Sequence, residues 1–78
     1  MNVGLPAKVR EAAQQTKSGT WTELVGCKFN GKYRLYDIRK IDNLAKVSEL
    51  DADDQPRRQW LVSSNMPRPL VWRNGEWQ

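Results

Sequence analysis

Hydrophobic and polar residues are interspersed through residues 21–41 in two strand-like runs that meet at Asn30-Gly31. Asn-Gly between such runs is a strong hairpin signal, because a two-residue type I′ turn needs positive φ at both of its central positions. A turn at this point fixes the register, in which Phe29 lies opposite Lys32 and every further pair follows in step. The sequence therefore predicts a long central hairpin.

The register assigns the hairpin residues to two faces, neither of them cleanly polar. One face combines bulky apolar side chains with three cations, and the other mixes aliphatic, aromatic and basic residues. The first set is Trp21, Val25, Cys27, Phe29, Tyr36 and Ile38 with Lys32, Arg34 and Lys40, and the second is Leu24, Lys28, Tyr33, Leu35 and Arg39. Two partly apolar faces predict a ribbon in the middle of a small sandwiched or closed β structure.

Residues 1–20 are predicted to begin loosely and then to form a short helix. Pro6 suits a first helical position, and Ser18-Gly19 is a stop signal. Apolar residues between these signals recur at helical spacing, namely Leu5, Val9, Ala12 and Ala13. This narrow stripe predicts a helix that packs against the sheet.

The segment after the hairpin is predicted to add two strands around an acidic turn. Residues 44–50 alternate as a third strand, with a helical turn as the alternative because Leu44, Val47 and Leu50 also fit a helical stripe. Residues 51–56 have turn composition, and residues 57–64 resemble a strand.

The last segment is predicted to contain a proline-stiffened loop and a second hairpin. A second Asn-Gly at Asn74-Gly75 places Trp72 opposite Trp77, so the two indoles can pack across the strands. Such a short hairpin is stable only if it docks on the rest of the domain.

These elements predict one α+β domain over residues 1–78. It comprises a loose start and short helix (1–20), the central hairpin (21–41), the third and fourth strands (42–64) and the loop with the C-terminal hairpin (65–78). We expect a strongly bent, mostly antiparallel sheet of four to six short strands. A small SH3-like or OB-like β-barrel is the alternative.

Charge and cysteine content narrow the expected surroundings and partners. The net charge is +4, with an acidic middle over residues 42–54 and basic ends, which favours an anionic partner on part of the surface. A lone cysteine, Cys27, excludes an internal disulfide. The sequence has neither a signal-peptide pattern nor an apolar run near the ~20 residues that span a bilayer. We therefore expect a cytoplasmic protein without a membrane partner.

The residue types present argue against catalysis. Histidine is absent, which removes the commonest general base and zinc ligand, and no glycine-rich phosphate-binding motif occurs. Asp51, Asp53 and Asp54 are close enough to hold a divalent cation, but they are interpreted as a solvated turn. We expect neither enzyme activity nor a cofactor or metal.

Interleaved basic and aromatic residues are the positive functional signal. Proteins that bind single strands or RNA place cations along the phosphates and stack bases on aromatic rings. The candidate nucleic-acid-binding residues are Lys28, Lys32, Tyr33, Arg34, Tyr36, Arg39, Lys40, Arg57 and Arg58. The competing interpretation is that the aromatic residues form the core while the cations keep the surface soluble.

A second hypothesis is a protein-binding modulator or inhibitor that acts on a host nucleoprotein machine. Its candidate interface is Met66, Arg68, Trp72 and Trp77, since Met, Arg and Trp are enriched at protein interfaces. In size and composition the chain is similar to small accessory proteins of phages and mobile elements. The partner in that case is a protein with an acidic surface.

Overall fold

A computed structural model describes residues 4–15, 19–63 and 68–78 of the chain. Over these residues it consists of one short helix followed by six strands. The elements are α1 (Ala7–Ala13), β1 (Thr20–Phe29), β2 (Lys32–Ile41), β3 (Leu44–Leu50), β4 (Pro56–Ser63), β5 (Leu70–Arg73) and β6 (Glu76–Trp77). No helix in these residues is long and apolar enough to cross a membrane.

The strands form one antiparallel meander in which each strand pairs with its neighbours in sequence. In the described part of the chain β1 and β6 are the two edges, so the sheet is open. The SH3-like or OB-like barrel considered from the sequence is therefore not the fold. A helix with an antiparallel sheet is confirmed, although the helix is a minor element of seven residues.

Both Asn-Gly turns form as predicted, and both set the predicted register. Asn30 and Gly31 have φ of 52° and 77°, and Asn74 and Gly75 have φ of 52° and 80°. These positive values are what a type I′ turn requires. In the long hairpin Phe29 consequently pairs with Lys32, and the other pairs continue in the same register as far as Thr20 and Ile41. In the C-terminal hairpin Trp72 pairs with Trp77.

Residues 44–50 are a strand, β3, which resolves the ambiguity of that segment in favour of the meander. The acidic turn that follows is stabilised by the side chain of its first residue, Asp51. Oδ1 of Asp51 accepts hydrogen bonds from the backbone N–H groups of Asp53 and Gln55, each at 2.9 Å. Asp51 therefore acts as a turn residue, as the composition of the segment predicted.

The hydrophobic core lies between α1 and one face of the sheet, which we call the inner face. Leu5, Val9 and Ala13 of the helical segment are buried there, which confirms the predicted apolar stripe. They pack against buried sheet residues, namely Tyr36, Ile38, Ala45, Val47, Trp60 and Val62. Burying one such aliphatic side chain stabilises the fold by about 1.5–3 kcal/mol.

The opposite face of the sheet, which we call the outer face, is not covered by the helix. It presents large hydrophobic side chains to solvent, namely Leu24, Tyr33, Leu35, Ile41 and Leu44. The alternation predicted for the central hairpin explains this distribution, because each strand sends successive side chains to opposite faces.

Candidate nucleic-acid interface

A cleft of about 220 Å³ lies on the inner face, beside Gly4 in the segment that precedes α1. We call it the basic cleft. Among the described residues its lining includes four cations and one carboxylate. The lining residues are Gly4, Asn30, Lys32, Arg34, Glu49, Arg57 and Arg58.

Two of the cations come from the central hairpin. Lys32 and Arg34 are alternate residues of β2, so both side chains lie on the same face of the strand as Tyr36. They lie at the start of β2, directly after the Asn30-Gly31 turn. The turn therefore determines both the register of the hairpin and the position of these two charges.

The other two cations come from a β-bulge. Glu49 of β3 pairs with Arg58 and Leu50 pairs with Pro56, which leaves Arg57 as an extra residue on β4. In a regular strand two consecutive residues point to opposite faces, whereas a bulge redirects one of them. Arg57 and Arg58 consequently both line the cleft.

Glu49 is the carboxylate at the centre of this cluster, and its side chain is only 6% exposed. Its Oε2 accepts a hydrogen bond from the Tyr36 hydroxyl at 2.9 Å, and its Oε1 lies 3.5 Å from Nε of Arg57. Burying a carboxylate is tolerated when it is paired and hydrogen-bonded, as it is here. Glu49 therefore holds Arg57 in place but leaves an excess of positive charge in the cleft.

Tyr36 is buried beneath the cleft, where its hydroxyl contacts Glu49. Burial raises the pKa of Tyr36, and its hydrogen bond to Glu49 raises the pKa further. The hydroxyl thus remains protonated at neutral pH and acts as the donor to Glu49. Because the ring is fully buried in the core, Tyr36 is not placed to stack on a base.

The remaining candidate residues lie elsewhere. Lys28, Tyr33 and Arg39 are on the outer face and exposed, and Arg39 lies 3.5 Å from the carboxylate of Asp37. Lys40 is buried, and its ammonium donates hydrogen bonds to backbone carbonyls at the end of α1. The fold therefore brings together Lys32, Arg34, Arg57 and Arg58 and separates them from Lys28, Tyr33, Arg39 and Lys40.

Three residues of the cleft, Gly4, Asn30 and Glu49, were not in the sequence-based set of candidate site residues, and Asn30 was predicted only as part of the hairpin turn. Glu49 had a usable signal, because it falls on the same alternation as Ala45 and Val47, which face the core. A carboxylate at an inward position indicates a buried polar partner. Gly4 had no comparable signal, since its place at the cleft depends on how the start of the chain approaches β4.

The alternative protein interface is described only in part. Arg68 and Trp72 are exposed and Trp77 is half-buried, whereas Met66 lies outside the described residues. The Trp72 and Trp77 rings contact each other edge to face, with centroids 5.0 Å apart. A role of these residues in binding a protein stays a prediction.

Comparisons with protein-family models, with curated proteins and with solved structures found no match to this chain. The function is therefore argued from the cleft itself.

Proposed function

We propose that this protein is a small non-enzymatic module that binds nucleic acid through the basic cleft. The observation that carries the proposal is the convergence of Lys32, Arg34, Arg57 and Arg58 on one concave site. Side chains of Lys and Arg supply most of the affinity for nucleic acid, because they contact phosphates and release counterions.

The cleft is suited to phosphate because of the type as well as the number of its charges. Three of its four cations are arginines, whose planar guanidinium groups donate paired hydrogen bonds to phosphate oxygens. Glu49 offsets only part of their charge. It also fixes Arg57, which reduces the side-chain entropy that this residue loses on binding.

The proposal omits stacking on Tyr36, which is buried, and on Tyr33, which lies on the face opposite the cleft. Affinity then comes mainly from phosphate contacts. Binding should accordingly depend steeply on salt and weakly on base sequence.

The test is a titration of labelled DNA and RNA, read by fluorescence anisotropy at two salt concentrations. The double variant Lys32→Ala/Arg34→Ala removes two cleft charges. We expect weaker binding and a log–log salt slope smaller by about 1.4–1.8, the contribution of two phosphate contacts.

The matched control is Lys28→Ala/Arg39→Ala, which removes two charges from the same hairpin on the outer face. We expect this variant to retain most of the affinity and nearly all of the salt slope. Equal losses in the two variants would show that net charge, and not the cleft, determines binding. No binding of the unaltered protein at low salt would reject the proposed function.

A further inference from the structure

The basic cleft is lined by several separate parts of the fold. Its walls come from the Asn30-Gly31 turn, from β2, β3 and β4, and from the segment that precedes α1. At the last of these walls, Gly4 has a φ of 89°, and a Cβ placed on it would lie 3.2 Å from a guanidinium nitrogen of Arg58. The backbone thus passes close to the side chain of Arg58.

The volume of the cleft limits how much of a nucleic acid it can hold. A sphere of 220 Å³ is about 7.5 Å across, a length over which one strand of duplex DNA carries about two phosphates. The cleft therefore accommodates one or two phosphate groups. Glu49 offsets one of the four cations, so the cleft has a formal net charge of +3, whereas two internal phosphodiesters together carry only −2.

A phosphate monoester matches the site better than a phosphodiester does. It carries about −1.5 to −2 at pH 7 and presents three strong acceptor oxygens on one phosphorus atom. The bulge on β4 directs two consecutive guanidinium groups into the cleft, and Arg34 adds a third from β2. Several donors can therefore converge on one group, as recognition of a dianion requires.

From this size and charge we infer that the basic cleft binds the terminal phosphate of a nucleic-acid strand. The inference rests on the proposed function and specifies its ligand. A terminal phosphate together with the neighbouring phosphodiester carries about −2.5 to −3 over two phosphate groups, which is close to the net charge of the cleft. The 5′-phosphate and the 3′-phosphate share the same chemistry, and the experiment distinguishes them.

The test compares oligonucleotides of one sequence that carry an internal fluorescent label. Four forms are titrated: a 5′-phosphate, a 3′-phosphate, hydroxyl groups at both ends, and a closed circle. We expect one phosphorylated form to bind about tenfold tighter than the hydroxyl form, the gain from one added charge-assisted hydrogen bond. The circle should bind no tighter than the hydroxyl form.

Variants then assign the preference to the cleft. Arg58→Ala and Arg34→Gln, each checked for folding by circular dichroism, should abolish the preference for the phosphorylated end, whereas Lys28→Ala should retain it. Equal affinity for all four forms, weakened by Arg34→Gln, would overturn the inference and leave the proposed function standing. Absence of binding to every form at low salt would instead reject the proposed function itself.

Discussion

The ammonium of Lys40 donates a hydrogen bond to the backbone carbonyl of Ala13 at 2.9 Å, which ties strand β2 to the end of helix α1. The same ammonium donates to the carbonyl of Gln15 at 2.7 Å. The last carbonyls of a helix have no partner within the helix, and a cation there also interacts favourably with the helix dipole. Lys40 is therefore a buried anchor for the helix, and the residue is only 2% exposed.

Replacing this anchor should loosen the helix. Lys40→Met keeps much of the buried apolar volume but leaves the carbonyls of Ala13 and Gln15 without their donor. We expect the free energy of unfolding to fall by about 1–3 kcal/mol, as for other buried groups that lose a hydrogen-bond partner. Urea denaturation measures the loss of stability. Hydrogen exchange should accelerate more in residues 7–13 than in the central hairpin when the variant is compared with the unaltered protein.

The control for this prediction is Lys46→Met, which changes an exposed lysine on the outer face of β3. Its effect on stability should stay within about 0.5 kcal/mol. If the two variants unfold at the same urea concentration, the contact between Lys40 and the helix does not contribute to stability.

The sequence predicts the central hairpin well because its determinants are local. Asn30 and Gly31 dictate a type I′ turn, and a two-residue turn leaves one register for the strands that it joins. The same reasoning correctly pairs Trp72 with Trp77. The openness of the sheet could not be read in this way, since closure depends on whether the first and last strands meet.

The candidate site could be predicted only in part, for a related reason. Alternation along β2 already places Lys32 and Arg34 on one face and separates them from Lys28 and Arg39 on the other. Alternation also puts Lys40 on the inner face, but its burial depends on where the helix docks, which is a tertiary contact. The bulge that turns Arg57 into the cleft likewise arises from pairing between β3 and β4.

The hydrogen bond between Tyr36 and Glu49 predicts a dependence of stability on alkaline pH. Burial raises the pKa of Tyr36 above its usual value of about 10, and the hydrogen bond to Glu49 adds to this effect. Above about pH 10 the unfolded chain therefore binds fewer protons than the folded one, so the free energy of unfolding falls as pH rises. Urea denaturation between about pH 8 and pH 11 should show this decline.

Tyr36→Phe isolates the contribution of that hydroxyl. At neutral pH the variant should lose about 1–3 kcal/mol, because the buried carboxylate of Glu49 lacks a donor. Its stability should then fall less steeply above pH 10 than that of the unaltered protein. Tyr33→Phe, which removes an exposed hydroxyl, controls for loss of a tyrosine. Parallel pH curves for Tyr36→Phe and the unaltered protein would contradict the prediction.

The C-terminal hairpin should depend on its tryptophan pair. Trp72→Ala removes the edge-to-face contact with Trp77, worth roughly 0.5–1.5 kcal/mol beyond the area that it buries. Hydrogen bonds between Val71 and Gln78 close the hairpin at 2.7 and 2.8 Å, so the amide of Gln78 should exchange faster in the variant. Arg73→Ala, in the same strand, is the control. Unchanged exchange at Gln78 would show that the backbone pairing is independent of the indoles.

A close approach across the central hairpin gives the last prediction, because Gly26 lies beneath the ring of Tyr33 on the outer face. A Cβ placed on Gly26 would lie 2.6 Å from Cζ of Tyr33, closer than real contacts allow. Gly26→Ala must therefore displace the ring, which is 68% exposed, at a cost of roughly 0.2–1 kcal/mol for the lost cross-strand contact. In a Tyr33→Ala background the same substitution should instead stabilise the protein by about 0.5–1 kcal/mol, because glycine inside a strand is less favourable than alanine. A double-mutant cycle measured by urea denaturation gives the difference, and equal effects of Gly26→Ala in the two backgrounds would show that the ring does not rest on Gly26.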